Sequence, residues 1–260
     1  MSLVVVDACG ANISSVLSAL NRLGADPVVS ADANTIAQAT RVILPGAGAA
    51  GSAMQRLRDA KLNQLIPTLT QPVLGICVGM QVLFESSEED DCECLGVFPA
   101  RLKRLPSNEQ FPVPHMGWNQ LKLNGENAAS GDQPLNPLLA NLGTEAWCYF
   151  VHSYAAPVIE ETIASCNYSS PFTAAVTRGN FSGVQFHPER SGDTGEKVLE
   201  NFSSLVPSKP CHRLHQHRIQ YLHRYCPSCY YWRLHHRLRA RKVATACLEY
   251  RACLHLHLIQ

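Results

Sequence analysis

The sequence predicts an α/β fold: an open, mostly parallel sheet with helices on both faces. Three observations carry this. Short apolar runs alternate with stretches of helical periodicity through the first half of the chain. That β-α-β order builds parallel sheets covered on both sides. One run, residues 72–76, leads into Cys77 between Gly75 and Gly79. This is the strand–turn–helix pattern that raises a nucleophile above a sheet edge. Finally, a set of alternating segments follows from residue 116 onward and supplies further strands.

The elements follow in order. Residues 3–6 form an apolar run and read as a buried strand. Asn12 is placed to cap a helix whose apolar positions include Ile13, Val16, Leu17 and Leu20. Gly24 ends that helix, as glycine does when the chain must turn left-handed. Strands are expected at 28–30, 41–44 and 72–76. Residues 54–69 read as helical stretches interrupted at Pro67, which lacks the N–H a helix needs. Residues 85–114 are acidic, then proline-containing, and read as loops with short strands. Strands are expected again at 116–123, 147–154, 162–168, 172–177 and 181–186. A helix at 196–205 closes the domain. No internal repeat is present.

Charge divides the chain of 260 residues. Residues 1–205 hold twelve Lys and Arg against twenty Asp and Glu, a formal net of −8. Residues 206–260 hold ten basic residues against one acidic, a net of +9. The first segment is long enough for one domain with a full core. The second contains 8 of the 11 His and 5 of the 11 Cys, and no Gly, Asp, Asn, Phe or Met. Cys226 and Cys229 with nearby His could hold zinc, and the basic charge could bind nucleic acid. No second C-x-x-C and no finger-spaced His pair follow them, so the segment reads as an extension outside the domain, of frameshift or read-through character. The chain opens on a strand without a basic leader, and no run of about 18 apolar residues could span a membrane. A free reactive thiol fits a reducing compartment, so the expected location is cytoplasmic.

The chemistry sits in two segments. In G-I-C-V-G-M-Q, Cys77 falls at the turn, and a helix N-terminus behind the sulfur favours the thiolate. In G-V-Q-F-H-P-E-R, Pro188 pushes His187 into an extended conformation. Side chains two apart then point the same way, so His187 and Glu189 converge. Cys77, His187 and Glu189 are the three parts of a nucleophile–base–orienter relay. The N–H of Val78, just after the nucleophile, is a candidate oxyanion donor.

These motifs resemble the triad, or class I, glutamine amidotransferases. The likeness rests on the G-I-C-x-G-M-Q turn, the terminal F-H-P-E and L-P-G-A-G-A at 44–49. P-H-M-G-W-N at 114–119 and Y-F-V-H-S-Y at 149–154 are similar to the branch serving histidine biosynthesis. It runs from residue 3 to about residue 205. It implies the open α/β architecture of that family and glutaminase activity, with ammonia passed to a synthase partner. It further implies an oxyanion segment at Ala47 and Gly48, glutamine binding by Gln81, His152, Ser153 and Tyr154, and a partner interface at Trp118 and Arg190. The implied partner is a (β/α)8-barrel cyclase subunit in a heterodimer. No cofactor, metal, nucleic acid or membrane is expected in the activity. Other triad glutaminases, serving anthranilate, GMP or aminodeoxychorismate synthesis, share the turn and the F-H-P-E but should lack the last two motifs. A non-catalytic binding module on the same scaffold is opposed by the presence of Cys77, His187 and Glu189 together.

Overall fold

An eight-stranded sheet organises the protein in a computed structural model that describes residues 2–10, 13–123, 136–143 and 145–205. The expected cap at Asn12 and the zinc reading of Cys226 and Cys229 lie outside the described residues. In chain order the elements begin β1 (Leu3–Val6), α1 (Ile13–Arg22), β2 (Val28–Ser30), α2 (Ala33–Gln38) and β3 (Arg41–Gly46). Then come α3 (Ala50–Asp59), α4 (Leu62–Leu65), β4 (Val73–Cys77), α5 (Val78–Gln81) and β5 (Phe84–Ser87). Strands β6 (Cys92–Glu93), β7 (Phe98–Arg104), β8 (His115–Gln120), β9 (Lys122–Leu123), β10 (Trp147–His152) and β11 (Tyr154–Ala155) follow. The last are β12 (Thr162–Tyr168), β13 (Ser170–Arg178), β14 (Phe181–Val184) and α6 (Gly192–Ser204).

The main sheet runs β2-β1-β3-β4-β14-β13-β12-β9. Its first five strands are parallel to one another, and the last three pair antiparallel. The parallel strands β1 and β4 are buried along their length, as strands covered on both faces must be: β1 is Leu-Val-Val-Val and β4 is Val-Leu-Gly-Ile-Cys. Two smaller sheets, β10-β8 and β11-β7-β5-β6, sit beside it. Helix α1 buries Val16, Ala19 and Leu20, and α6 buries Val198, Leu199 and Phe202, each on one stripe. Gly24 adopts φ +74 after α1, as expected of the terminating glycine.

Some sequence expectations need correction. The helical region expected at 54–69 begins earlier, at Ala50, and breaks at Lys61 rather than Pro67. Lys61 takes a left-handed φ of 58°, while Pro67 sits in the first turn of a 3-10 helix, where its missing N–H costs nothing. Helix α2 had no separate signal. It is capped by Asp32, whose carboxylate accepts from the Thr35 N–H at 2.8 Å. Residues 85–114, expected as loops with short strands, hold β6 and the seven-residue β7, with Phe98, Ala100 and Leu102 facing inward. The closing helix starts at Gly192, four residues before the expected start at 196. The strand expected at 181–186 ends at Val184.

Candidate active site

Three neighbouring parallel strands deliver the site. Strand β4 lies between β3 and β14, with Gly46 opposite Cys77 and Val184 opposite Ile76. At their carboxyl ends the chain therefore places Pro45–Gly48, Cys77 and residues 185–190 side by side. This is where open α/β sheets hold their ligands.

Cys77 stands at φ 54°, ψ −114°, a conformation that L-residues avoid and that costs on the order of 1–3 kcal/mol. The surroundings enforce it. A Cβ on Gly79 would stand 1.7 Å from the Leu44 carbonyl oxygen, so only glycine lets α5 pack this close to β3. Side-chain area places Cys77 among the buried residues, yet its sulfur reaches a cavity of about 390 Å³.

His187 shares the cavity with Cys77 and hydrogen-bonds Glu189, with Nδ1 to Oε1 at 2.9 Å. Burial alone would lower the His187 pKa. The contacts with Cys77 and Glu189 together outweigh burial and raise it to about 10. The imidazolium is thus the favoured form at neutral pH, which is the partner a thiolate requires. The convergence of His187 and Glu189 was expected, but its geometry differs. His187 is extended, at φ −96° and ψ 97°, while Pro188–Arg190 forms a 3-10 turn. Proline at the first position favours that turn. Ser191, itself buried, donates to the His187 carbonyl at 2.6 Å and accepts from the Tyr149 N–H at 3.0 Å, fastening the turn to β10.

The structure gathers the expected residues into one cavity. Ala47, Gly48, Cys77, Val78, Gln81, His152, Ser153, Tyr154, His187, Glu189 and Arg190 all line it. Val78 opens α5, so its N–H has no partner within the helix. The Ala47 N–H instead points to the Cys9 carbonyl at 3.4 Å. Gly48 stands at φ +87° with open space where a Cβ would be. Gln81 uses its amide hydrogens internally, donating to the Tyr154 carbonyl at 2.9 Å and to Gln185 Oε1 at 3.1 Å. His152 is engaged at both ring nitrogens, by the Tyr154 carbonyl at 2.9 Å and by His115 Nδ1 at 3.0 Å. Trp118 lies apart, 53% exposed on the outer face of β8, against Tyr149.

Three residues at the site escaped sequence reasoning. Glu89 lines the cavity and accepts from the Ala50 N–H at 2.8 Å, next to the Pro45–Gly48 segment; burial raises its pKa. Its signal was hidden in an acidic run that reads as solvated. Gln185 reaches Cys77 Sγ at 3.8 Å. It lies two residues before His187, and the alternation used for His187 and Glu189 could have found it. His115 is buried beside His152, and period-two reading of P-H-M-G-W-N would have turned it inward, away from Met116 and Trp118.

The arrangement can attack a carbonyl carbon with sulfur, stabilise the oxyanion and move one proton. Comparison with known proteins identifies the family. Residues 4–205 match the family model for glutamine amidotransferase class-I. The imidazole glycerol phosphate synthase subunit HisH of Xanthomonas euvesicatoria pv. vesicatoria is 50% identical over 201 residues, covering 77% of this chain and 96% of that one. The subunit of the same name from Shewanella sediminis is 46% identical over 209 residues, covering 78% and 91%. Among solved structures, PurLQS from Thermotoga maritima superposes with TM-score 0.56 at 19% identity, covering 78% of this chain and 97% of the matched one. That likeness concerns the fold. The sequence matches go further: the chain belongs to the class-I glutamine amidotransferases, in the group of HisH subunits of imidazole glycerol phosphate synthase.

Proposed function

We propose that the chain is the glutaminase subunit of imidazole glycerol phosphate synthase in histidine biosynthesis, with Cys77 as nucleophile, His187 as acid–base and Glu189 as orienter. The observation that carries this is Cys77 on its strained turn, in one cavity with the hydrogen-bonded His187–Glu189 pair. The Cys77 thiolate attacks the side-chain amide carbon of glutamine. The Val78 N–H holds the oxyanion. The His187 imidazolium gives its proton to the departing nitrogen, which leaves as ammonia with cleavage of the C–N bond. Neutral His187 then takes a proton from water as the hydroxyl attacks the thioester, releasing glutamate and restoring the thiolate.

Gln81 and the 152–154 segment frame the amide end of the substrate, and Glu89 is the carboxylate facing a substrate ammonium. The Ala47 N–H, turned to Cys9, becomes a second oxyanion donor only if that peptide rotates. Glycines on both sides make the rotation sterically easy. Docking of the synthase partner supplies the bias, so the isolated chain is a poor glutaminase. The partner is a (β/α)8-barrel cyclase subunit that uses the ammonia to form imidazole glycerol phosphate and AICAR. Its docking face is the outer side of the β8–β10 pair, where Met116, Trp118 and Trp147 are exposed, and Arg190, which lines the cavity, adds a cation. Trp118 is the aromatic anchor of that face.

The test is glutamine hydrolysis by the complex. Cys77→Ala abolishes it, while added ammonia still drives the partner's reaction. Substantial hydrolysis by Cys77→Ala would overturn the assignment.

A further inference from the structure

We propose that Gln185 is a positioning residue for the nucleophile: its side-chain amide, locked in one orientation by Gln81, donates to Cys77 Sγ and holds the sulfur in its ionised form. The proposal rests on the glutaminase reading above and adds a group to it.

Gln185 is fully buried, just beyond the end of β14. A buried primary amide must satisfy both its oxygen and its nitrogen. Its oxygen accepts from Gln81 Nε2 at 3.1 Å, and its nitrogen faces Cys77 Sγ at 3.8 Å. The orientation is forced from a distance. Gln81 Nε2 also meets the Tyr154 carbonyl, which can only accept. Gln81 must therefore present its nitrogen there, its second hydrogen must go to the Gln185 oxygen, and Gln185 must turn its N–H toward sulfur. Reversing either amide sets oxygen against oxygen or N–H against N–H.

The same carbonyl orders the histidines. His152 must donate from Nδ1 to the Tyr154 oxygen, which leaves Nε2 to accept from His115 Nδ1. Both rings are then neutral. Burial agrees, pushing His115 down to about 4, and His152 to about 3 with the help of its histidine neighbours. The chain that orients Gln185 thus carries no charge of its own.

The sulfur has complementary neighbours. The Val151 carbonyl, at 3.8 Å, suits only the thiol, because it accepts. The Gln185 N–H suits the thiolate, because it donates. When the proton moves to His187, the Val151 contact becomes unfavourable and the Gln185 contact strengthens, since a donor to an anion is worth more than a donor to a neutral atom. A methionine would fill the same volume without that donor.

The experiment uses the full chain with its synthase partner. It measures kcat and KM for glutamine, the ultraviolet thiolate absorbance, and the rate of alkylation by iodoacetamide. Gln185→Met is expected to lower kcat roughly tenfold to a hundredfold, the range for a hydrogen bond to a charged group. KM should change less than kcat, because Gln81 keeps its bond to the Tyr154 carbonyl. The thiolate band should shrink and alkylation slow in step with kcat. Gln185→Glu, which keeps the shape and the acceptor for Gln81, should lose more, because its carboxylate opposes the thiolate. It carries the test if the methionine variant does not fold. In the unaltered chain, a buried glutamine side-chain amide resonance should move when Cys77 is replaced by Ala. Folded Gln185→Met with kcat and alkylation within about twofold of the unaltered complex would overturn the proposal, as would the absence of that resonance shift. Glutamine hydrolysis indifferent to Cys77→Ala would instead overturn the glutaminase reading itself, and this proposal with it.

Discussion

Replacing Glu189 by Gln separates orientation from charge. Glu189 Oε1 lies 2.9 Å from His187 Nδ1, and its side chain is only 6% exposed. Its other oxygen, Oε2, is buried without a hydrogen-bond partner among the described residues. Glutamine can keep an oxygen against the Nδ1–H, so the ring stays in place, but the negative charge is gone. A hydrogen bond to a charged group is worth about 1.5–3 kcal/mol against about 0.5–1.5 kcal/mol for a neutral one, a difference of about 1–1.5 kcal/mol. At 1.36 kcal/mol per unit, this amounts to about one unit of His187 pKa. The sign is set by the cation. His187, raised to about 10 in the folded chain, loses its proton more readily once the carboxylate is neutral. The alkaline limb of the kcat profile, where the imidazolium needed by the leaving nitrogen disappears, should therefore move to lower pH by about one unit. The assay is ammonia release by the complex across the pH range, with unfolding followed in parallel. The amide nitrogen at the Oε2 position meets no acceptor, so stability should fall by about 1–3 kcal/mol as well. An alkaline limb that stays in place, or moves upward, would refute the account of how His187 is held.

Further outcomes follow from packing and surface. Gly79→Ala brings a methyl group against the Leu44 carbonyl, and urea unfolding should show a loss above about 3 kcal/mol, with activity falling alongside. Trp118→Ala should change stability by less than about 1 kcal/mol, because the side chain is half exposed, yet weaken calorimetric binding to the synthase partner by about 2 kcal/mol or more. Unaltered binding would remove Trp118 from the interface. Deleting residues 208–260 should leave the glutaminase activity of the complex unchanged, because the family match ends at residue 205. Activity lost together with a bound zinc would place the basic segment inside the working protein.

Much of the site was legible because its signals are local. A strand ending in Gly-x-Cys-x-Gly declares a turn that only close packing explains, and Gly79 against Leu44 is that packing. His187 and Glu189 were found through a proline that constrains both neighbours, although the turn it makes is a 3-10 helix and not an extended segment. What escaped was long-range. Whether Glu89 faces water or a cavity depends on α3 arriving beside it, and no spacing in the sequence reports that contact. The break at Lys61 escaped for a different reason. A lysine carries no sign of left-handed backbone, whereas Pro67, the conspicuous residue, sits where proline is tolerated. Strand β7 was masked by its own Pro99 and its outward Arg101 and Lys103, and its inward Phe98, Ala100 and Leu102 became meaningful only as a set.

Strand β10 has a consequence for how the protein could be controlled. Trp147 and Tyr149 face outward on it, Val151 shares their side, and the Val151 carbonyl touches the nucleophile sulfur. Among the described residues, the barrier between the outer face and the reactive atom is therefore a single strand thick. Any displacement of β10 carries the Val151 carbonyl with it and so changes what the sulfur meets.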